Sequence, residues 1–583
     1  MHSVLVDVMT RSTAGTRDVL VLWLVAAVTI AMGYALAIAL TGGFTVQVAG
    51  LRLRSHSWVR PALLASAGAV ALAFAARARV VAMWVRVAPL VESDRFARGV
   101  AMTATASAVA AGIGFGTFTN GGSDSYGYVG QARLLARGHL TDTIPLTADF
   151  DWPDVAPTLT PLGFIAGRAR GVIAPQYPPG LPLLLAPLAA VSERAIYLLV
   201  PVFGALLVWL TFRLGASLSD QTTGAMAAAL VAASPTFLFQ VVQPMSDVPA
   251  AACWLAALLV AGHGTSYAAV ASGAIASVAI LIRPNLAPLA GLIGTAAILA
   301  ASKGRMRRAL LFAVALTPGL VVLGWIQNVR YGSPLLSGYG PLSNAFSTRN
   351  IAPNLSRYPR WLTGTHTWFI WLSLAAPVWI VRRARQPAVA WFAVLLVAAT
   401  WLAYLPYVYF QPHEWSYTRF LLPAVPVMLI FASAVAGWLL RFFPDSWRAP
   451  IRLVLLGGLV AMQLHTAVTY GAFAMRDQER KYSLAGAFVR DRLPATAFVL
   501  ALQHSGSIRY YANRPTIRWD LLAPSHLDAV LATLRAHGHE PFLVVDSVEY
   551  EAFRKRFEAG DQKAVRQLSL LAVLGDARVF AFQ

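Results

Sequence analysis

A carboxylate set among glycines and tyrosines opens the stretch Gly121-Gly122-Ser123-Asp124-Ser125-Tyr126-Gly127-Tyr128-Val129-Gly130-Gln131-Ala132, directly after an apolar run. At the end of a membrane helix, such an aspartate could take a proton from a substrate held at the water–lipid boundary. Asp124 could equally cap the amphipathic helix that follows, since Asp and Ser satisfy free backbone N–H groups there. Spacing supports both roles, and Tyr126 and Tyr128 also fit an interfacial aromatic belt. A second carboxylate, Asp247, lies in Gln243-Pro244-Met245-Ser246-Asp247-Val248-Pro249; proline in the first helical turn favours the cap there. Tyr177 lies in Gln176-Tyr177-Pro178-Pro179-Gly180-Leu181-Pro182, where three prolines make a stiff, non-helical re-entry into the membrane.

Three arginines stand at the ends of apolar runs on the same side of the chain. These are Arg283 (beside Asn285), Arg330 (beside Tyr331) and Arg419 (after Glu414). Each could reach toward lipid headgroups; together they could clamp a phosphate or diphosphate. His413 has no second histidine at ligand spacing, so no zinc site is expected. A looser divalent-cation site using Asp124 or Asp247 stays open.

The elements that must position these residues are read from hydropathy. Of 583 residues, 57% are hydrophobic and 13% charged, against about a quarter charged in soluble domains. The chain therefore reads as an α-helical polytopic membrane protein. About thirteen spans are expected: 18–41, 61–79, 99–118, 194–214, 222–241, 247–263, 266–282, 286–302, 308–326, 364–380, 388–408, 419–440 and 453–471. The net charge of +21 could point to nucleic acid, but the basic residues flank apolar runs. They fall on alternate connections, including Arg95 and Arg98, Lys303 to Arg308, Arg382, Arg383 and Arg385, and Arg441, Arg448 and Arg452, which marks that face as cytoplasmic. No nucleic-acid partner is expected. The N-terminus is then cytoplasmic, and loop 119–193 and the tail are external. The lone Cys253 leaves no intrachain disulfide to form. In the tail, β-rich runs (Ala497–Leu502, Pro541–Asp546, Arg578–Phe582) alternate with helical ones (Ser525–His537, Val548–Ala559), which predicts a small soluble α/β domain.

The order and common sidedness of these motifs resemble the GT-C superfamily of polytopic glycosyltransferases. Bacterial branches similar to the protein mannosyltransferase, aminoarabinose transferase and Rhizobium lipopolysaccharide glycosyltransferase groups come nearest. The resemblance rests on Asp124, Tyr177–Gly180, Asp247, Arg283–Asn285, Tyr331–Pro334 and Arg419–Pro423, and covers roughly 99–475. It divides the chain into a two-span extension (1–98), a catalytic membrane core (99–475) and the external α/β domain (476–583). It implies a bacterial inner-membrane enzyme that moves a sugar from a polyprenyl-phosphate donor to a glycan, lipid or protein acceptor, with membrane lipid around it. Asp124 is then the general base and Asp247 orients acceptor or sugar. Tyr126, Tyr128, Gln131, Tyr177, Arg283, Asn285, Arg330, Tyr331, Glu414 and Arg419 surround the substrate. Relatives often carry two adjacent acidic residues where this chain has Asp124-Ser125, which weakens any inherited metal role. A polytopic transporter or lipid flippase, or a non-enzymatic envelope assembly protein, are the competing readings.

Overall fold

The computed structural model describes residues 88–409 and 414–583 throughout, together with the helix Val59–Ala75, the paired strands Phe44–Val48 and Leu51–Ser55, and single positions between 23 and 57. The expected span 18–41 falls mostly outside the described residues, as does His413.

The chain is mostly helical. Among the described residues six helices are long and apolar enough to cross a membrane: Asp94–Gly114, Ala195–Leu218, Arg305–Tyr331, Pro387–Tyr404, Val425–Phe442 and Asp445–Thr469. A seventh span is reached if Gln221–Ala233 and Pro235–Val241, bent by 60°, count as one. The bend has a local cause. Ser234 ends the first helix and caps the second, its Oγ accepting from the Phe237 N–H at 3.3 Å, and Pro235 begins the new helix without an N–H to continue the old one. The difference from the thirteen expected spans lies in such breaks and in short helices. Residues 247–302 form Asp247–Ala261, Ser266–Ile282 and Pro288–Leu299, of 15, 17 and 12 residues, against the ~20 that fill a hydrocarbon core. The expected span 364–380 is three pieces: the end of Ile351–His366, a 3-10 turn Trp368–Ala375 and Ala376–Arg383. They are divided by Thr367, with φ at 62°.

Small residues let the helices touch. Gly319 of Arg305–Tyr331 lies so near Ser266–Ile282 that a Cβ there would stand 2.3 Å from Ser277 Oγ. That hydroxyl accepts the Gly319 N–H at 2.7 Å, the close approach through small and hydroxyl residues expected where lipid offers no hydrophobic drive. Arg308, from the basic run 303–308, is buried. It donates to the carbonyls of Ala297, Ile298, Ala301 and Lys303 and so satisfies the end of Pro288–Leu299.

The C-terminal residues form a five-stranded mixed sheet in the order Thr516–Ile517, Ala497–Leu500, Glu540–Asp546, Ala577–Phe582, Leu568–Leu574. The first three strands are parallel and the last two pairings antiparallel. Helix Leu527–Ala536 falls within the run Ser525–His537 expected to be helical, and Ser547–Glu558 matches Val548–Ala559 to within one residue at each end. The sheet shares one hydrophobic core with the loop 119–193. Tyr126, Phe150, Trp152, Phe164 and Ile173 of the loop pack with Phe498, Ile517, Trp519 and Phe553. Polar ties run alongside: the Leu162 N–H donates to Ser505 Oγ (3.1 Å), the Arg518 N–H to the Thr158 carbonyl (2.6 Å) and the Asn120 N–H to the Tyr511 hydroxyl (2.8 Å). This packing holds the segment that carries Asp124.

Candidate active site

Asp124 is the first residue of helix Asp124–Ala136, yet it does not cap it, nor does Ser123 before it. Its carboxylate is used sideways. Oδ1 accepts from the Tyr177 hydroxyl at 2.5 Å and Oδ2 from Arg419 Nη1 at 2.9 Å. Ser123 Oγ lies 2.7 Å from the same Tyr177 hydroxyl. Burial and then the adjacent Asp124 charge push the Tyr177 phenol well above the ordinary tyrosine value, so it stays a hydrogen-bond donor. The side chain of Asp124 is 32% exposed and that of Arg419 21%.

Asp247 behaves in parallel. It opens Asp247–Ala261 without capping, and its Oδ1 accepts from Arg283 Nη2 at 2.6 Å. This pair is enclosed, with side-chain exposures of 1% and 9%. Arg283 also donates to Ser246 Oγ (3.3 Å) and to the Tyr404 hydroxyl (3.0 Å), and Ser246 Oγ lies 2.8 Å from the Tyr128 hydroxyl. The two networks meet at Phe420, whose ring has the Arg283 guanidinium at 5.1 Å and the Arg419 guanidinium at 5.0 Å. Two buried atoms, Asp247 Oδ2 and Arg419 Nε, have no hydrogen-bond partner. Buried polar atoms are rarely left so, and a site for ligand polar groups is one place where they are.

Arg283 stands where it does because of Gly180. A Cβ on Gly180 would lie 2.2 Å from the Ile282 backbone nitrogen. The glycine of the Tyr-Pro-Pro-Gly stretch therefore lets the start of helix Gly180–Val191 press on the end of Ser266–Ile282. That contact brings Tyr177 and Arg283 to one wall.

The wall belongs to a cavity of about 760 Å³. Tyr128, Tyr177, Ser246, Arg283 and Asn285 line it, with Tyr404 and Phe420. Leu320, Leu323 and Gly324 line it too and share one face of the long helix, being three and four residues apart. Leu335 and Leu342 also line it and are exposed. Neither Asp124 nor Asp247 lines the cavity; the residues bonded to them, Tyr177 and Arg283, do.

The other residues expected around substrate are spread out. Arg330 and Tyr331 line the cavity, but the Tyr331 hydroxyl donates to the Pro175 carbonyl (2.5 Å) and Arg330 Nε to the Leu140 carbonyl (3.1 Å). Gln131 is fully buried. With its amide oxygen facing Arg330 it accepts from Nη1 and Nη2 (2.6 and 2.9 Å) and donates to the Tyr177 carbonyl (3.2 Å). Arg330 is thereby spent on holding the loop. Tyr126 lies in the aromatic core against Phe164, away from the cavity. Glu414 Oε1 accepts from Ser416 Oγ at 2.5 Å and does not line the cavity. Among the described residues no group of three or more His, Cys, Asp or Glu is arranged to hold a metal ion. Asp124 and Asp247 each face a guanidinium instead. Tyr339 and Tyr404 are not singled out from sequence, and Phe420 enters there only within Arg419–Pro423; the aromatic cluster at 404–420 was the available signal for Tyr404.

No family model matches the chain, and no curated protein does either. Solved structures with a similar fold include ArnT from Cupriavidus metallidurans bound to undecaprenyl phosphate, at 14% identity and TM-score 0.49, covering 84% of this chain and 98% of that one. An Archaeoglobus fulgidus oligosaccharyltransferase is similar at 12% identity and TM-score 0.47, covering 83% and 73%. The mycobacterial arabinofuranosyltransferase AftD follows at 13% identity and TM-score 0.45, covering 84% of this chain and 42% of its own length. At these identities and TM-scores the likeness assigns neither residue roles nor substrate to this chain.

Proposed function

We propose that the chain is a membrane glycosyltransferase that moves a sugar from a polyprenyl-phosphate donor to an acceptor hydroxyl or amine of a glycan, lipid or protein. The observation that carries the reading is the cavity's mixed lining. Arg283, Tyr177, Tyr128 and Asn285 suit a charged sugar-phosphate, while Leu320, Leu323 and the exposed Leu335 and Leu342 suit an isoprenoid chain entering from lipid. The charge bias of the loops supports placing this chemistry on the external face. Nucleotide sugars do not reach that face, so a sugar already carried on lipid is the donor that fits.

In the proposed reaction Asp124 takes the proton of the acceptor as its oxygen or nitrogen attacks the anomeric carbon. The bond from that carbon to the phosphate oxygen breaks, and polyprenyl phosphate leaves with the electron pair. A single displacement inverts the anomeric centre. Arg283, 2.6 Å from Asp247, and Arg419 supply positive charge for the departing phosphate. As Arg419 turns to the phosphate it would free Asp124 Oδ2, with which it pairs at 2.9 Å, to meet the acceptor proton.

The test is to incubate the purified protein in lipid with a panel of polyprenyl-phosphate sugars and follow release of polyprenyl phosphate. Release by the native chain, slowed by about 10²–10⁴-fold in Asp124→Asn, is the expected result. Equal release by both would remove Asp124 from the mechanism, and no release from any donor would remove the donor class.

A further inference from the structure

At the far end of the bundle from Asp124, the helix ends leave a second cavity of about 300 Å³. Helix Asp94–Gly114 measures the separation. Its last turn leads into the Asp124 segment, while Glu92, just before its start, lines the second cavity. Its 21 residues at about 1.5 Å each make that distance roughly 30 Å. Val425–Leu439 runs the other way, from the Arg419 side to Arg441 at this end.

Five arginines line this cavity: Arg383, Arg385, Arg441, Arg448 and Arg452. The two carboxylates among the lining residues, Glu92 and Asp220, do not balance them. Glu92 faces Arg452 at 3.7 Å. Asp220 is occupied as a helix cap, with Oδ1 accepting the Thr223 N–H at 2.8 Å and Oδ2 accepting from Ser219 Oγ at 3.3 Å. Arg448 pairs with Asp445 and donates to the Phe443 and Arg441 carbonyls. Arg383, Arg385 and Arg441 have no carboxylate in ion-pair reach among the described residues. Ser433, also lining the cavity, is 2% exposed and its hydroxyl has no hydrogen-bond partner.

Basic residues that only fix the orientation of a membrane protein need to be on the right side; nothing requires them to converge. Here they arrive from three separate segments on one walled space that also holds an orphaned hydroxyl. Planar guanidiniums with free donors match phosphate oxygens, and a basic recess between helices is a place where anionic headgroups bind. We infer that this second cavity binds a phosphate group, held by Arg383, Arg385 and Arg441 with Ser433 as a further donor. An anionic phospholipid headgroup and a soluble phosphate present the same chemistry, and the two are separable by experiment.

The full-length protein would be studied in phosphatidylcholine nanodiscs with and without phosphatidylglycerol, counting retained lipid by native mass spectrometry, and titrated separately with inorganic phosphate. Retention of phosphatidylglycerol over phosphatidylcholine is expected. Arg383→Gln/Arg441→Gln should weaken it about tenfold or more. Arg305→Gln/Arg307→Gln removes two exposed charges that do not line this cavity and should leave retention unchanged. Binding of inorganic phosphate, lost in the same variant, would make a soluble phosphate the ligand; no such binding would make it the lipid. Ser433→Ala, which removes only a hydroxyl, gives the readout if the double arginine variant does not fold, and it should weaken retention too. Equal retention of both lipids with no binding of phosphate, or equal losses in the cavity and control variants, overturns the inference. Neither outcome depends on sugar transfer.

Discussion

Asp124 is held by two donors, Tyr177 and Arg419, which fix the direction of its carboxylate. Asp124→Asn keeps the shape and removes the base. Transfer should fall by about 10²–10⁴-fold with an unchanged thermal melt. Tyr177→Phe removes one oriented donor and a hydroxyl of the cavity wall while leaving the base, so kcat should fall and donor KM should rise, read by steady-state release of polyprenyl phosphate. Asp247 differs because its pair with Arg283 is enclosed. Removing one partner of such a pair costs about 3–5 kcal/mol, so Asp247→Asn should lower the melting temperature in detergent. Adding Arg283→Gln should restore part of the loss by removing the unpaired charge. Asp124, Asp247, Tyr177, Arg283 and Arg419 could be read as candidates because each is polar at the end of an apolar run, the first four within two residues of Gly or Pro. Their pairing could not: Arg283 meets Tyr404 across 121 residues and Arg419 meets Asp124 across 295. Local spacing left Asp124 open between cap and catalyst and favoured the cap at Asp247, whereas in the structure both carboxylates pair with arginines instead of capping.

At the scale of elements, Gly180 carries the site. The nearest atoms to a Cβ there are backbone, at 2.2 Å, so no side chain can rotate to make room. Gly180→Ala should destabilise by about 1–3 kcal/mol and, by displacing Arg283, raise donor KM. Unchanged KM beside a lowered melting temperature would separate Arg283 from donor binding. The sequence made the prolines of this stretch legible as a stiff re-entry, but not the reason for its glycine, which lies in a helix about a hundred residues later. The spans were legible in the same partial way. Apolar runs locate helices well, as Asp445–Thr469 and Pro387–Tyr404 illustrate. Hydropathy averages over a break such as Ser234-Pro235, so a bent pair and a straight span look alike.

For the whole molecule, the polar seam where the C-terminal sheet meets the Asp124 segment should respond to pH. Burial pushes the carboxyls of Glu479 and Glu549 up to about 7. A carboxyl raised in the folded state binds more protons there than when unfolded. Its stabilising contribution is complete below the ordinary value of 4.5 and is lost as pH rises through about 7. Burial works against ionisation of Asp546 as well, but His504 and Lys481 outweigh it and hold that carboxyl below its usual value. Its contribution is lost only at the acid end. Hydrogen exchange of Glu540–Asp546 and Ser547–Glu558 should therefore quicken between about pH 5 and about pH 8, and Glu549→Gln should flatten that rise. The same seam also orders events in time. The Asn120 amide waits 391 residues for the Tyr511 hydroxyl, and the loop's aromatic core waits as long for Phe498 and Trp519. During synthesis the membrane helices and the Asp124 segment emerge first, without the packing that holds that segment in place. A chain cut short before the final strands would lack the aromatic core against which the Asp124 segment packs.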